Sequence, residues 1–138
     1  MLEIKEFLDI EKIENIRVRS LNKKLDEHDN FSYHIALVEK DKIYGVARLY
    51  KQNLDLVIDC VACESFSNEC HLEMLFRALL LKAQNIECRY VIAILEHDLN
   101  FYKKFNFDND LKAKPVDLVF PKMCKNCENK TENCEETK

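Results

Sequence analysis

Apolar residues recur along this chain with two different periods, and the change of period divides it into strands and helices. Met1 to Phe7 alternates, which predicts a strand with Leu2, Ile4 and Glu6 on one face. From Asp9, a residue suited to cap a helix, Ile10, Ile13, Ile16 and Leu21 or Leu25 follow at near-helical spacing. The polar run Asp26 to Asn30 predicts a loop. Tyr33 to Glu39 and Ile43 to Tyr50 are β-rich and joined by Lys40-Asp41-Lys42, the pattern of a hairpin. Gly45, the only glycine in the chain, falls inside the second of these strands. A glycine there marks a bulge or a close approach of backbone. Leu54 to Cys63 is a third β-run, and Asp59 breaks its apolar pattern, so that side chain is expected to point away from the core.

The strongest helical signal comes next. Leu72, Leu75, Phe76, Leu79, Leu80 and Ala83 form a continuous stripe at helical offsets, with Ser67 or Asn68 as the N-cap. Tyr90 to Leu95 is a short unbroken apolar run, which predicts a strand buried on both faces and parallel to a neighbour. A shorter helix fits Asp98 to Phe105, and Val116 to Phe120 between two prolines predicts a last strand. The resulting order is β-α-β-β-β-α-β-α-β. It is an α/β (α+β) chain.

Composition narrows the class. With 138 residues, 47% of them hydrophobic, the chain is sized for one globular domain, placed over residues 1–121, with a polar tail over 122–138. A formal charge of −4 offers no broad attraction to nucleic acid or to an anionic membrane. No apolar stretch is long enough to span a bilayer, and the charged first residues do not look like a signal peptide. A cytoplasmic protein is therefore expected.

The order of elements, and above all Asn100-Phe101-Tyr102-Lys103-Lys104-Phe105-Asn106-Phe107, resembles the GNAT N-acetyltransferase superfamily. The resemblance runs over about residues 1 to 121. It implies a mixed, mostly antiparallel sheet with two central parallel splayed strands and flanking helices. It also implies that acetyl-CoA lies between the splayed strands, here Leu54 to Cys63 and Tyr90 to Leu95. The turn after the first strand then opens a helix whose N–H groups hold the pyrophosphate, as orphan amides and the helix dipole favour. On this pattern the cofactor-binding segment is Ala62 with Ser67, Asn68, Glu69, Cys70, His71 and Leu72. Tyr102 falls where the family places the acid that protonates the departing thiolate, and an ordinary phenol is protonated at neutral pH. On its spacing alone, Tyr102 also reads as a core aromatic beside Leu99 and Phe105.

The turn departs from the family pattern. Ser67 stands at an Arg or Gln position, Asn68 and Cys70 at two glycine positions, and Leu72 at a small residue, where its side chain would crowd a diphosphate. Glu69 adds a negative charge there. Asn106 replaces a glycine, a mild change because asparagine tolerates a left-handed C-cap. His71 is a candidate to offer partial positive charge in place of the missing arginine. Glu64 and Asp59 are the carboxylates nearest the expected cleft, and either is a candidate base for an acceptor amine, acting through water.

Seven cysteines raise a separate question. Cys124, Cys127 and Cys134 lie in the polar tail, and zinc in a structural site takes four N or S ligands. If the last strand runs antiparallel beside Tyr90 to Leu95, Cys88 lies close enough to be the fourth, giving a candidate zinc clasp. The expected cosubstrate is acetyl-CoA and the expected partner a small-molecule or peptide amine, with a homodimer left open. A binding or assembly module of the same fold with a decayed cofactor site is the competing class.

Overall fold

The structure is a computed structural model that describes residues 1–95, 97 and 99–121. Six strands form one sheet in chain order: β1 (Glu3–Glu6), β2 (Tyr33–Glu39), β3 (Lys42–Gln52), β4 (Asp55–Cys63), β5 (Val91–Ala93) and β6 (Lys112–Ala113). Every neighbouring pair is antiparallel except β4 and β5, which are parallel. A parallel pair needs a crossover, and α2 (Glu69–Ala83) supplies it. The sheet is therefore mixed and mostly antiparallel, flanked by α1 (Ile10–Leu21), α2 and the short α3 (Leu99–Lys103).

The caps explain where the helices start and stop. Asp9 caps α1 by accepting from the Lys12 N–H at 3.2 Å, and Asn22 ends that helix in the left-handed region at φ 55°. After α3, Asn106 turns left-handed at φ 77°. The Phe107 N–H then bonds the Tyr102 carbonyl and the Asn106 N–H the Lys103 carbonyl, which is a Schellman closure.

The two faces of the sheet are packed differently. Leu56, Ile58 and Val61 of β4 meet Leu75, Phe76 and Leu79 of α2, together with Phe101 and Phe105. On the opposite face Cys60 and Ala62 meet Ile13 and Ile16 of α1. Ile58 and Val61 share a face three positions apart, not two, because β4 carries a bulge. Arg48 pairs with Cys60 but Tyr50 with Val57, so Leu49 stands opposite both Ile58 and Asp59. Asp59 breaks the apolar alternation because it sits in that bulge.

Gly45 meets both reasons for a glycine in a strand. The β2–β3 register slips beside it, and a Cβ there would lie 2.8 Å from the Ala62 carbonyl oxygen and 2.9 Å from Leu75 Cδ1.

Two expectations are corrected. Residues Glu27–Phe31 form a 3-10 turn and not an open loop, because Asp26 caps it and Asp29 returns a bond to the Asp26 N–H. Val116 to Phe120 is not the last strand: β6 lies earlier, at Lys112–Ala113, and Pro115 opens a 3-10 turn over Pro115–Asp117. Proline suits the first residue of such a turn, since its fixed φ is already helical and it has no N–H to satisfy. β1 forms within the expected segment, and all four of its residues are exposed.

Candidate functional site

β4 and β5 pair over three positions only, the last being Ile58 with Ala93, closed by the Ile94 N–H on the Ile58 carbonyl at 2.8 Å. Beyond them β4 continues from Asp59 to Cys63 with no β5 partner among the described residues. The bulge at Ile58 and Asp59 coincides with the parting, and a bulge bends and twists the strand that carries it. A cleft of about 560 Å³ opens there. The last turn of α1 walls one side, and Asp59, Val61, Leu72, Ile94 and Leu95 complete it, with Lys23 at its rim.

The bulge also decides which backbone groups of β4 face the cleft. Ala62 pairs with Val46, and the Glu64 N–H bonds the Tyr44 carbonyl, so Ala62 and Glu64 turn their backbone toward β3. By alternation Val61 and Cys63 turn theirs the other way. The Cys63 carbonyl accordingly accepts the Ser20 hydroxyl of α1 at 2.7 Å. Of the expected cofactor-binding residues, Ala62 thus belongs to the β3 ladder, and its neighbours Val61 and Cys63 present the free edge. Sequence alone could not select them, because a one-residue slip exchanges the two sides of a strand.

The turn at the mouth is bonded largely to itself. The Ser67 hydroxyl donates to the Tyr44 carbonyl at 2.7 Å and the Ser67 N–H to the Glu64 carbonyl at 2.9 Å. Asn68 caps α2, its side chain accepting from the His71 N–H, while its own N–H donates to His71 Nδ1 at 3.1 Å. His71 is buried and lies against the Tyr44 ring; with Nδ1 accepting a hydrogen bond, the ring supplies a cap and not a positive charge to the mouth. Glu69 is exposed, Cys70 is buried in the first turn of α2, and Leu72 is half-buried in the wall of the cleft without filling it. Glu64 stands just past β4, where the Arg19 guanidinium grips both of its carboxylate oxygens.

Tyr102 is fully buried among Phe76, Phe101 and Phe107. Its hydroxyl donates to the Leu95 carbonyl at 2.6 Å and accepts from the Leu95 N–H at 3.1 Å. Burial raises its pKa above the ordinary value, so the phenol is protonated at neutral pH. Tyr102 does not line the cleft itself; Leu95, which it holds, does.

An ionic cluster not anticipated from the sequence backs the cleft. Arg48 of β3 is buried and bonds Asp59 through Nε at 2.8 Å and through a terminal nitrogen at 2.9 Å. It also bonds Asp26 at 2.7 and 3.1 Å and reaches Asp29 at 3.0 Å. Arg17 of α1 bonds Asp29 at 2.6 Å and the Lys24 carbonyl at 2.8 Å. Hydrogen bonding from Arg48 holds the Asp26 carboxyl well below its ordinary pKa. Asp59 therefore faces the cleft with its carboxylate already held from behind, and Lys23 Nζ stands 3.9 Å from it. The one signal available in the sequence was a charged residue, Arg48, inside an otherwise apolar strand.

Cys88 is half-buried, and burial raises its thiol pKa, which disfavours the thiolate that zinc needs. Among the described residues no three His, Cys, Asp or Glu side chains come together as a metal site, so the zinc clasp has no support there. Cys124, Cys127 and Cys134 lie outside the described residues. No described helix is long and apolar enough to cross a membrane.

A sheet parted between two parallel strands, with a helix starting at the mouth, is the architecture of the GNAT acetyltransferases, and this chain has that fold. Among solved structures it resembles the ribosomal-protein-S18-alanine N-acetyltransferase of Escherichia coli, with a TM-score of 0.63 and 12% identity over 78% of each chain. Ard1 from Thermoplasma volcanium matches with a TM-score of 0.60 and 20% identity, over 78% of this chain and 82% of that one. A GNAT family acetyltransferase from Elizabethkingia anophelis, solved with acetyl-CoA bound, matches with a TM-score of 0.57 and 18% identity. That match covers 67% of this chain and 63% of that enzyme, less than two thirds of its length. No protein-family model and no curated protein sequence matches the chain.

Proposed function

We propose that the protein binds acetyl-CoA in the cleft between β4 and β5 and transfers the acetyl group to an amine by direct attack. The observation that carries this reading is the parting of the two strands at Asp59, which leaves the Val61 and Cys63 backbone edge turned toward an open cleft. An extended amide-containing arm can pair with such an edge as a further strand would. The start of α2 lies past the end of β4, where a helix N-terminus favours the diphosphate. Ser67, Asn68 and His71 shape that turn through their mutual bonds, and Glu69, Cys70 and Leu72 form its first helical turn.

In the transfer step the neutral amine nitrogen bonds to the thioester carbonyl carbon, the C–S bond breaks, and the thiolate takes up a proton. Tyr102 is the proposed proton donor, because its phenol is protonated and its hydroxyl sits directly behind the cleft residue Leu95. Asp59, which faces the cleft, is the proposed carboxylate to receive the amine's proton through water; Glu64, held by Arg19, lines the neighbouring groove instead. A second reading is a binding module without transfer chemistry. It is favoured by the same Tyr102 hydroxyl, both of whose hydrogen bonds are taken up by Leu95.

Release of free CoA thiol in the presence of a panel of primary amines separates the two readings. Turnover that falls about 10²–10⁴-fold in Tyr102→Phe, with the KM for acetyl-CoA little changed, supports transfer with Tyr102 as the acid. Saturable binding with no thiol release for any amine supports the module. Undiminished turnover in Tyr102→Phe removes that residue from its role.

A further inference from the structure

We infer that Lys23 is itself an acetyl acceptor, a modification site set in the rim of the cleft; this rests on the reading of that cleft as the acetyl-CoA site. The local fold places it there. α1 ends at Leu21, and Asn22 in the left-handed region turns the chain so that the Lys23 N–H reaches back to the Arg17 carbonyl at 3.3 Å. The side chain then lies along the cleft with its ammonium 3.9 Å from Asp59 and about a third exposed. That contact is long for an ion pair, so the flexible stem is held near the spot without being locked to it. Asp59 does not move to follow it, because Arg48 grips both of its carboxylate oxygens.

Asp59 marks the closed end of the cleft, where β4 and β5 last pair. Cys63, at the open end, is the last residue of β4 and four residues further along it, roughly 13 Å at a strand's rise. A cosubstrate with its diphosphate at the start of α2 and its arm laid along β4 therefore carries its thioester toward Asp59, and so toward Lys23. Lys12 and Lys42 line a separate groove between α1 and the β2–β3 turn, and Lys40 lies with Lys42 in an open hollow at that turn.

The reaction balances without a further reagent. Lys23 Nζ, once it has shed a proton, bonds to the thioester carbonyl carbon, and the C–S bond breaks. The CoA sulfur leaves as thiolate and takes up the second proton that the acylated nitrogen gives up, so N-acetyl-lysine and free CoA thiol form with the first proton released to solvent. Acetylation removes the charge facing Asp59 and adds bulk at the closed end, so the modified chain admits an external amine less readily.

The test is to incubate the full chain with acetyl-CoA and follow each lysine by peptide mass spectrometry, with thermal shift by acetyl-CoA measured in parallel. Lys23 is expected to acetylate at least tenfold faster than the exposed Lys5 and Lys40, at a rate per molecule independent of protein concentration. Lys23→Arg should lose the single fast acetyl group. Leu72→Trp, at a half-buried position in the cleft wall, fills the cleft but keeps Lys23 and should slow Lys23 to the rate of Lys5. If Lys23 reacts no faster than Lys5 and Lys40 while acetyl-CoA raises the Tm, the inference is overturned and the cleft reading stands. If acetyl-CoA produces no thermal shift, both are overturned.

Discussion

On the α2 side of the sheet Phe76 is fully buried against the rings of Phe101, Tyr102, Phe105 and Phe107. On the α1 side two arginines, Arg17 and Arg48, are just as buried, but against Asp26, Asp29 and Asp59. Both sets exclude water, by different means. Rings attract one another weakly and in many orientations, so the first set supplies stability that tolerates change of shape. A desolvated guanidinium must have each carboxylate at hydrogen-bond distance, so the second set fixes geometry and is costly to disturb. The ionic side is also the one that reaches the cleft, through Asp59. Rigid placement is therefore strongest where the chemistry is proposed.

The comparison predicts the largest effects for truncations on the two faces. Phe76→Ala and Arg48→Met should each cost about 3–5 kcal/mol in urea unfolding, the first from a cavity and the second from buried Asp29 and largely covered Asp59 left without that cation. The conservative replacements should diverge. Phe76→Leu should recover most of the loss, whereas Arg48→Lys should recover little, because one ammonium cannot span Asp26 and Asp59 as the guanidinium fork does. An Arg48→Lys protein as stable as Phe76→Leu would break the contrast.

Tyr102→Phe should come next, at about 1–3 kcal/mol, because it strands the N–H of Leu95 and leaves the Leu95 carbonyl with the His97 N–H alone. Asn68→Ala should cost about 1 kcal/mol through loss of the α2 cap. The smallest effect is a gradual one with pH. Burial lowers the His34 pKa below its ordinary 6.5, so the unfolded chain takes up the proton first. The stability this group contributes is complete above that value and declines as pH falls through it. Asp26 and Asp29, both lowered, extend the decline through the carboxylate range. The Tm should therefore fall from pH 7 to pH 4, and His34→Gln should flatten its upper part.

How much of this was readable from the sequence follows from range. The α2 stripe, the Asp9 cap, the choice of Ser67 or Asn68 as the α2 cap and the β2–β3 hairpin all depend on residues a few positions apart, and local pattern revealed them, while the left-handed Asn106 came with the family resemblance. The displaced last strand shows the limit of such patterns: Val116 to Phe120 is apolar enough for a strand, but Val116 and Val119 are exposed once Pro115 starts a turn. At the site, the sequence pointed to the right segment but not to its working edge. The bulge at Asp59 depends on pairing with β3, and only the bulge turns Val61 and Cys63 toward the cleft in place of Ala62. Arg48 meets Asp26 across 22 positions and Asp59 across 11, and no periodicity carries such a pairing. Lys23 became visible only when the turn at Asn22 brought it over β4.

The central claim, that the parted β4 and β5 receive acetyl-CoA, is tested most directly by thermal unfolding with and without the cosubstrate, for the wild-type chain and for Leu72→Trp, which fills the cleft from its wall. At a hundred times its dissociation constant acetyl-CoA should stabilise the wild type by about 2.7 kcal/mol, roughly 10 °C in Tm for a domain of this size, and leave Leu72→Trp unmoved. A wild-type Tm unchanged at millimolar acetyl-CoA, or an equal shift in both proteins, would contradict it.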